Sequence, residues 1–230
     1  MTAPHFSSGR RLLAAAVAVL CLSTPAWPWQ TQDPVSGRTI APVMGMGGAD
    51  WLERPERESE EAPDEALDAI GLHKGMTIAD VGAGIGYVTM KLARRVGPGG
   101  TVYATDIQPA MLTRLRAQAE RENLSNIRTV LGTETDPKLP ADKLDLILMV
   151  DVYHELSHPQ KMLDAMRAAL RPDGRLVLLE YRKEDPSIPI RELHKMSVAG
   201  AKLEVEAEGY RLDRTIEILP RQHILVFRKK

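Results

Sequence analysis

The sequence predicts an α/β domain whose sheet is mainly parallel and covered by helices on both faces, a doubly wound arrangement. Three observations carry this. From Pro63 onward, short β-rich runs alternate with stretches whose apolar residues recur at helical spacing. Residues 144–150 (LDLILMV) form the nearly unbroken apolar run that central parallel strands show when both faces are covered. A glycine-rich stretch, Ala79 to Tyr87 (ADVGAGIGY), stands where the first strand turns into its helix.

The elements follow in order. Residues 64–70 read as a short helix ended by Gly71, and 76–81 as a buried strand between Gly75 and Gly82. Val88, Leu92, Ala93 and Val96 share a helical face, and the turn Gly97-Pro98-Gly99-Gly100 stops that helix. Residues 101–105 form the next strand. Pro109 suits the first turn of a helix carrying Met111, Leu112, Leu115 and Ala119 on one side, and 126–131 follow as a strand. After the apolar run, 159–170 are amphipathic, Arg171-Pro172-Asp173-Gly174 read as a turn, and 175–180 as a strand. A helix near 198–208, capped by Gly209, precedes two closing β-rich runs, 210–219 and 223–228.

Composition bounds the function. The 230 residues are 43% hydrophobic and 27% charged, within the globular range, and one domain of about 200 residues has enough chain for a sizeable core. A formal charge of −1 lacks the basic excess that a phosphate backbone demands, so nucleic acid is not an expected partner. The single cysteine, Cys21, excludes an internal disulfide framework and a Cys-rich zinc site.

Residues 1–26 differ from the rest. Arg10 and Arg11 precede the uncharged run from Leu12 to Leu22, and Ser23-Thr24-Pro25-Ala26 supplies small residues at the exit, the pattern of a secretory signal peptide. The run rises only about 16 Å as a helix, short of the ~30 Å hydrocarbon core. A periplasmic or exported domain is therefore expected, with a cytoplasmic location as the alternative. If the segment is retained, Trp27 and Trp29 suit a membrane interface. Residues 27–60, rich in proline and glycine with a charge run from Glu53 to Glu61, read as a linker with a solvated charged end, or as a lid because a pure linker has little use for Trp51. Residues 61–230 form the domain.

The glycine loop carries the chemistry. A dinucleotide fingerprint starting at Gly82 needs its third glycine where Tyr87 stands, and no lysine follows at the position a P-loop requires. What remains is D-x-G-x-G-x-G: Asp80, Gly82, Gly84 and Gly86.

This pattern resembles motif I of the class I S-adenosylmethionine-dependent methyltransferases. The resemblance continues through Asp106 at the end of the second strand (VYATDIQPAML), LDLILMVDVYHEL and LRPDGRLVLLEYR, all in the family's order. It implies a Rossmann-like seven-stranded sheet whose antiparallel last strand lies beside the fifth. It also implies S-adenosylmethionine as cofactor. Asp106 would hold the ribose hydroxyls, Ile107 would pack on the adenine, and Thr133 or Glu134 would meet its amino group. Asp80, the three glycines and Asp151 complete the implied cofactor contacts. Asp151, Tyr153, His154, Glu180 and His223 would approach the transferring methyl from strand ends.

Methyl transfer works largely by holding donor and acceptor in line, and a base is needed only where the nucleophile is not already ionised. His154 is the first candidate for that base and His223 the second, each with a structural role as the alternative. His158 reads as a structural residue and His194, beside Lys195, as a surface residue. Asp151 and Glu155 lack a second acidic pair in register, so no metal site is expected.

The expected acceptor is a small organic molecule with oxygen, nitrogen or carbon open. Residues 22–230 contain no thiol, which excludes arsenite chemistry, and no Asn-Pro-Pro-Tyr follows the fourth strand, which counts against amino methylation of nucleobases or glutamine. A nicotinamide oxidoreductase and a non-catalytic exported binding module with the same fold are the rival classes. Tyr87 opposes the first.

Overall fold

A strand with apolar side chains on both faces has to be covered twice, and residues 144–150 are placed accordingly. In a computed structural model, which describes Met1 and residues 31–230, they form β4 (Leu144–Val150) at the centre of the sheet. Leu146 and Leu148 enter one buried cluster, with α2 (Pro63–Ala69) and α3 (Tyr87–Val96). Ile147 and Met149 enter the other, with α5 (Pro159–Ala169) and α6 (Val198–Ala207). Strand periodicity thus divides one sequence run between two cores.

The remaining strands are β1 (Thr77–Val81), β2 (Thr101–Asp106), β3 (Ile127–Leu131), β5 (Leu170–Arg182), β6 (Lys195–Met196), β7 (Tyr210–Ile216) and β8 (Gln222–Lys229). The sheet order is β3-β2-β1-β4-β5-β8-β7, with the short β6 pairing the end of β5. Strands β1 to β5 run parallel, and β8 lies antiparallel between β5 and β7. The antiparallel last strand beside the fifth is as the sequence resemblance implies. Helix α4 (Pro109–Arg121) starts on its proline and buries Met111, Leu112, Leu115 and Ala119.

Two local readings are corrected. Residues 171–174 are not a free turn: pairing shifts from Leu144 with Leu170 to Leu146 with Arg175, so they bulge within β5. The charge run before Pro63 is not uniformly solvated, because 57–61 coil into α1 (Arg57–Glu61), whose Arg57 and Glu61 are buried. Arg57 donates to Glu61 at 2.7 Å, and Glu61 also accepts from Arg54 and from the Tyr181 hydroxyl, both at 2.8 Å. Pairing on every side is what makes a buried carboxylate tolerable.

Arg38 similarly grips the buried Glu204 of α6 with two hydrogen bonds of 3.0 Å and donates a third, also 3.0 Å, to the His154 carbonyl. The segment before the domain is therefore anchored at both ends, on α6 and on β5. Among the described residues no helix is long and apolar enough to cross a membrane. The signal-like segment, Cys21, Trp27 and Trp29 lie outside the described residues.

Candidate active site

Strand order reverses between β1 and β4, and the chain leaves these neighbours toward opposite faces of the sheet. A crevice opens there at the carboxyl ends, the place where open α/β sheets bind ligands. It holds roughly 1000 Å³ counting its open mouth, and residues following β1, β2, β3 and β4 line it.

The glycine loop leaves β1 with left-handed backbone at Gly82, Gly84 and Gly86. The three have different tasks. A Cβ on Gly82 would lie 2.5 Å from a Val152 methyl, and one on Gly84 3.2 Å from Leu52, so these two keep the cleft wall thin. Gly86 does not line the cleft. A Cβ there would meet Leu115 at 2.7 Å, so this glycine lets α3 approach α4.

Asp106 closes the loop. Its Oδ2 accepts from the Gly84 N–H at 2.9 Å and its Oδ1 from the Gln108 N–H at 2.8 Å. Burial raises its pKa, and these two N–H bonds oppose the rise. Ile107, Thr133 and Glu134 also line the cleft, so both candidates for the adenine amino group are on the wall.

Asp151 lies on the wall with φ of +54°, a conformation Asp tolerates better than most residues. Its Oδ2 accepts from Gln222 at 2.7 Å, whereas its buried Oδ1 has no partner among the described residues. Burial, then the charges of Glu61 and Glu180, raise its pKa well above the usual range.

The histidines depart from expectation. Neither His154 nor His223 lines the cleft, and both are 1% exposed. His154 points its Nδ1 at Glu180, 2.6 Å away, and its Nε2 at His194 Nδ1, 3.1 Å away. Burial works against its charge, but Glu180 prevails and the pKa is raised, the wrong direction for a neutral base. His223 sits opposite Glu180 in the β5–β8 ladder, beyond β5 and away from the crevice at β1 and β4. Burial lowers its pKa, and its Nε2 has no partner among the described residues. His194 is not a free surface residue, since it joins His154.

Of the wall contributed from upstream, sequence reasoning singled out Trp51 but not Met44, Leu52 or Arg57. Met44, Trp51, Leu52 and Arg57 all line the cleft, and Trp51 stacks against the Arg54 guanidinium at 3.7 Å. Glu155 lines it too, with its carboxyl pKa pushed up to about 7 by burial.

Asp80 is also displaced from its expected role. It lies behind the cleft wall, buried, accepting from the Thr89 hydroxyl of α3 at 2.6 Å. Burial, partly offset by that bond, pushes its pKa up to about 6. The folded state therefore binds this proton more tightly than the unfolded chain, and Asp80 costs stability as pH rises from about 4 to 6. Asp80→Asn keeps an acceptor for Thr89 and cannot ionise. Its stability relative to the parent should increase by about 1–3 kcal/mol between pH 4 and pH 7. Urea unfolding at both pH values measures this, and a pH-independent difference contradicts it.

Comparison with known proteins agrees with this geometry. Residues 72–216 match the family described as "Methyltransferase domain". The chain is 30% identical over 172 residues to the ubiquinone/menaquinone biosynthesis C-methyltransferase of Pasteurella multocida, covering 69% of this chain and 62% of that protein. It is 37% identical over 114 residues to the nocamycin O-methyltransferase of Saccharothrix syringae, covering 49% and 40%. The chain thus spans less than two thirds of the length of either relative. A SAM-dependent methyltransferase from Aquifex aeolicus superposes with a TM-score of 0.76 at 28% identity, covering 80% of this chain and 98% of that one. The family match runs from before β1 to the end of β7 and encloses both the glycine loop and Asp106, so the chain belongs to the methyltransferase-domain family.

Proposed function

We propose that the cleft binds S-adenosylmethionine and that the protein transfers its methyl group to a small organic acceptor. The observation that carries this reading is Asp106, a carboxylate at the tip of β2 locked to the glycine loop and opening on the cleft. Each of its oxygens accepts one backbone N–H and keeps a lone pair for a ribose hydroxyl. The charge of the wall fits as well. Asp106, Glu134, Asp151 and Glu155 line the cleft with Arg57 as the lining cation, and a positively charged ligand would favour the ionised forms of Asp151 and Glu155, whose carboxyl pKa values burial raises.

When bound, the cofactor supplies an electrophilic methyl on a sulfonium centre. The chain's own part is positioning: Gly82 and Gly84 leave room for close approach, Asp106 fixes one end, and apolar Ile107, Val152 and Leu156 exclude water. The histidines stand off the cleft, so no base is assigned to them. The relatives' names, a C-methyltransferase and an O-methyltransferase, support an acceptor with a carbon or oxygen nucleophile.

Replacing Asp106 by Ala removes a charge-assisted contact worth about 1.5–3 kcal/mol, so affinity for S-adenosylhomocysteine should fall about 10- to 150-fold by calorimetry. Unchanged affinity contradicts the ribose assignment, and NADH binding in its place favours an oxidoreductase.

The upstream segment is proposed as a lid over this cleft, because Trp51 and Leu52 reach its wall. Intrinsic fluorescence should change on adding S-adenosylhomocysteine, and most of that change should vanish in Trp51→Phe. An undiminished change leaves the lid without support. Residues 1–26 are proposed as an export signal on the strength of Arg10, Arg11 and the apolar run. A fusion of residues 1–60 to alkaline phosphatase should be active in cells, and an inactive fusion contradicts export.

A further inference from the structure

Beside the cleft, three ligand atoms converge from two separate parts of the chain. His154 Nε2 and His194 Nδ1 lie 3.1 Å apart, and Glu155 Oε1 lies 3.9 Å from the first and 3.7 Å from the second. A point in their plane is equidistant from all three at about 2.1 Å, which matches the zinc–nitrogen and zinc–oxygen bond lengths of ~2.0–2.2 Å. Among the described residues these are the side chains that meet as a metal-binding group.

The surroundings are those of a metal site. Glu180, fully buried, accepts at 2.6 Å from His154 Nδ1, which turns the lone pair of Nε2 toward His194 and Glu155. A metal-bound histidine characteristically donates its other ring N–H to a carboxylate in this way. Glu180 is itself fixed, since its second oxygen accepts the Tyr153 N–H at 2.8 Å. The Ala41 N–H and Arg38 both hold the His154 carbonyl at 3.0 Å. Glu155 is oriented by the Met44 N–H on Oε2, leaving Oε1 for the cluster without a hydrogen-bond donor among the described residues. A hydrogen bond between the two rings requires a proton on one of the facing nitrogens, which a bound metal ion would displace.

We propose that His154, His194 and Glu155 bind one divalent transition-metal ion of the zinc class, with Glu180 as the positioning residue behind His154. Two imidazoles and one carboxylate suit zinc or ferrous iron and leave at least one coordination position open. Because Glu155 also lines the cleft, the ion adjoins the proposed active site, where an acceptor oxygen could take the open position. The inference does not depend on the methyl-transfer reading, since its readout is metal binding itself.

The test uses the full chain without a polyhistidine tag, stripped with a chelator, in a Cys21→Ser background that removes the thiol. Zn²⁺ titrated against a chromophoric chelator should bind at one ion per chain, and Co²⁺ should give the visible absorption of a nitrogen- and oxygen-ligated site. His194→Ala and Glu155→Gln should each weaken binding at least about 10-fold, and Glu180→Gln about 10- to 100-fold although it does not touch the ion. The exposed His158→Ala should bind as the parent does. Circular dichroism identifies any variant that fails to fold, and either ligand variant suffices. Absence of stoichiometric binding by the parent, or undiminished binding by a folded ligand variant, overturns the site.

Discussion

Asp106 ties the two loops that form the floor of the cleft. The carbonyl just before it, on Thr105, accepts both the Gly82 and Ala83 N–H groups, at 2.8 and 3.0 Å, and its own carboxylate takes the next free N–H, from Gly84. Three successive loop donors are thus satisfied by the end of β2, which sets where the loop turns and where α3 begins. Left-handed backbone at Gly82, Gly84 and Gly86 makes that path attainable, and Gly86 then lets α3 settle against Leu115 of α4. A carboxylate held by two backbone donors also needs no rearrangement to receive a ligand's hydroxyls, which is preorganisation in its simplest form.

Behind Arg57, the cleft wall is backed by a charged network. Arg54, Arg57, Glu61 and Tyr181 form one network linking the upstream segment to β5, and Glu61 is 2% exposed within it. Removing one partner of such a buried set leaves an uncompensated charge, so the network specifies where the segment docks more than it adds stability. Its field reaches the cleft, because after burial the charge of Glu61 is the leading cause of the raised pKa of Asp151. An excess of carboxylates on a partly buried wall favours a cationic ligand.

The sheet and the glycine loop were legible because they depend on local patterns. The alternation of strand and helix, the two-faced apolar run of β4 and the position of Asp106 after β2 all survive in linear sequence. The roles of individual residues survived less well. Asp80 and Gly86 belong to the same motif as Gly82 and Gly84, yet one anchors Thr89 and the other spaces two helices. Spacing alone cannot separate a residue on the wall from one behind it. His154 was singled out from sequence, but its partners Glu180 and His194 come from β5 and from the short turn before β6, distances that no local pattern spans. The burial of Arg57 and Glu61 was hidden for the opposite reason, since a charge run at helical spacing looks the same whether solvated or paired.

The most direct measurement is a crystal structure of the protein grown with S-adenosylhomocysteine. The ligand is expected in the crevice between β1 and β4, with its ribose hydroxyls on the Asp106 carboxylate and its backbone contacts at Gly82 and Gly84. Ligand bound elsewhere on the chain, or a cleft that stays free of it at saturating concentration, would contradict the account.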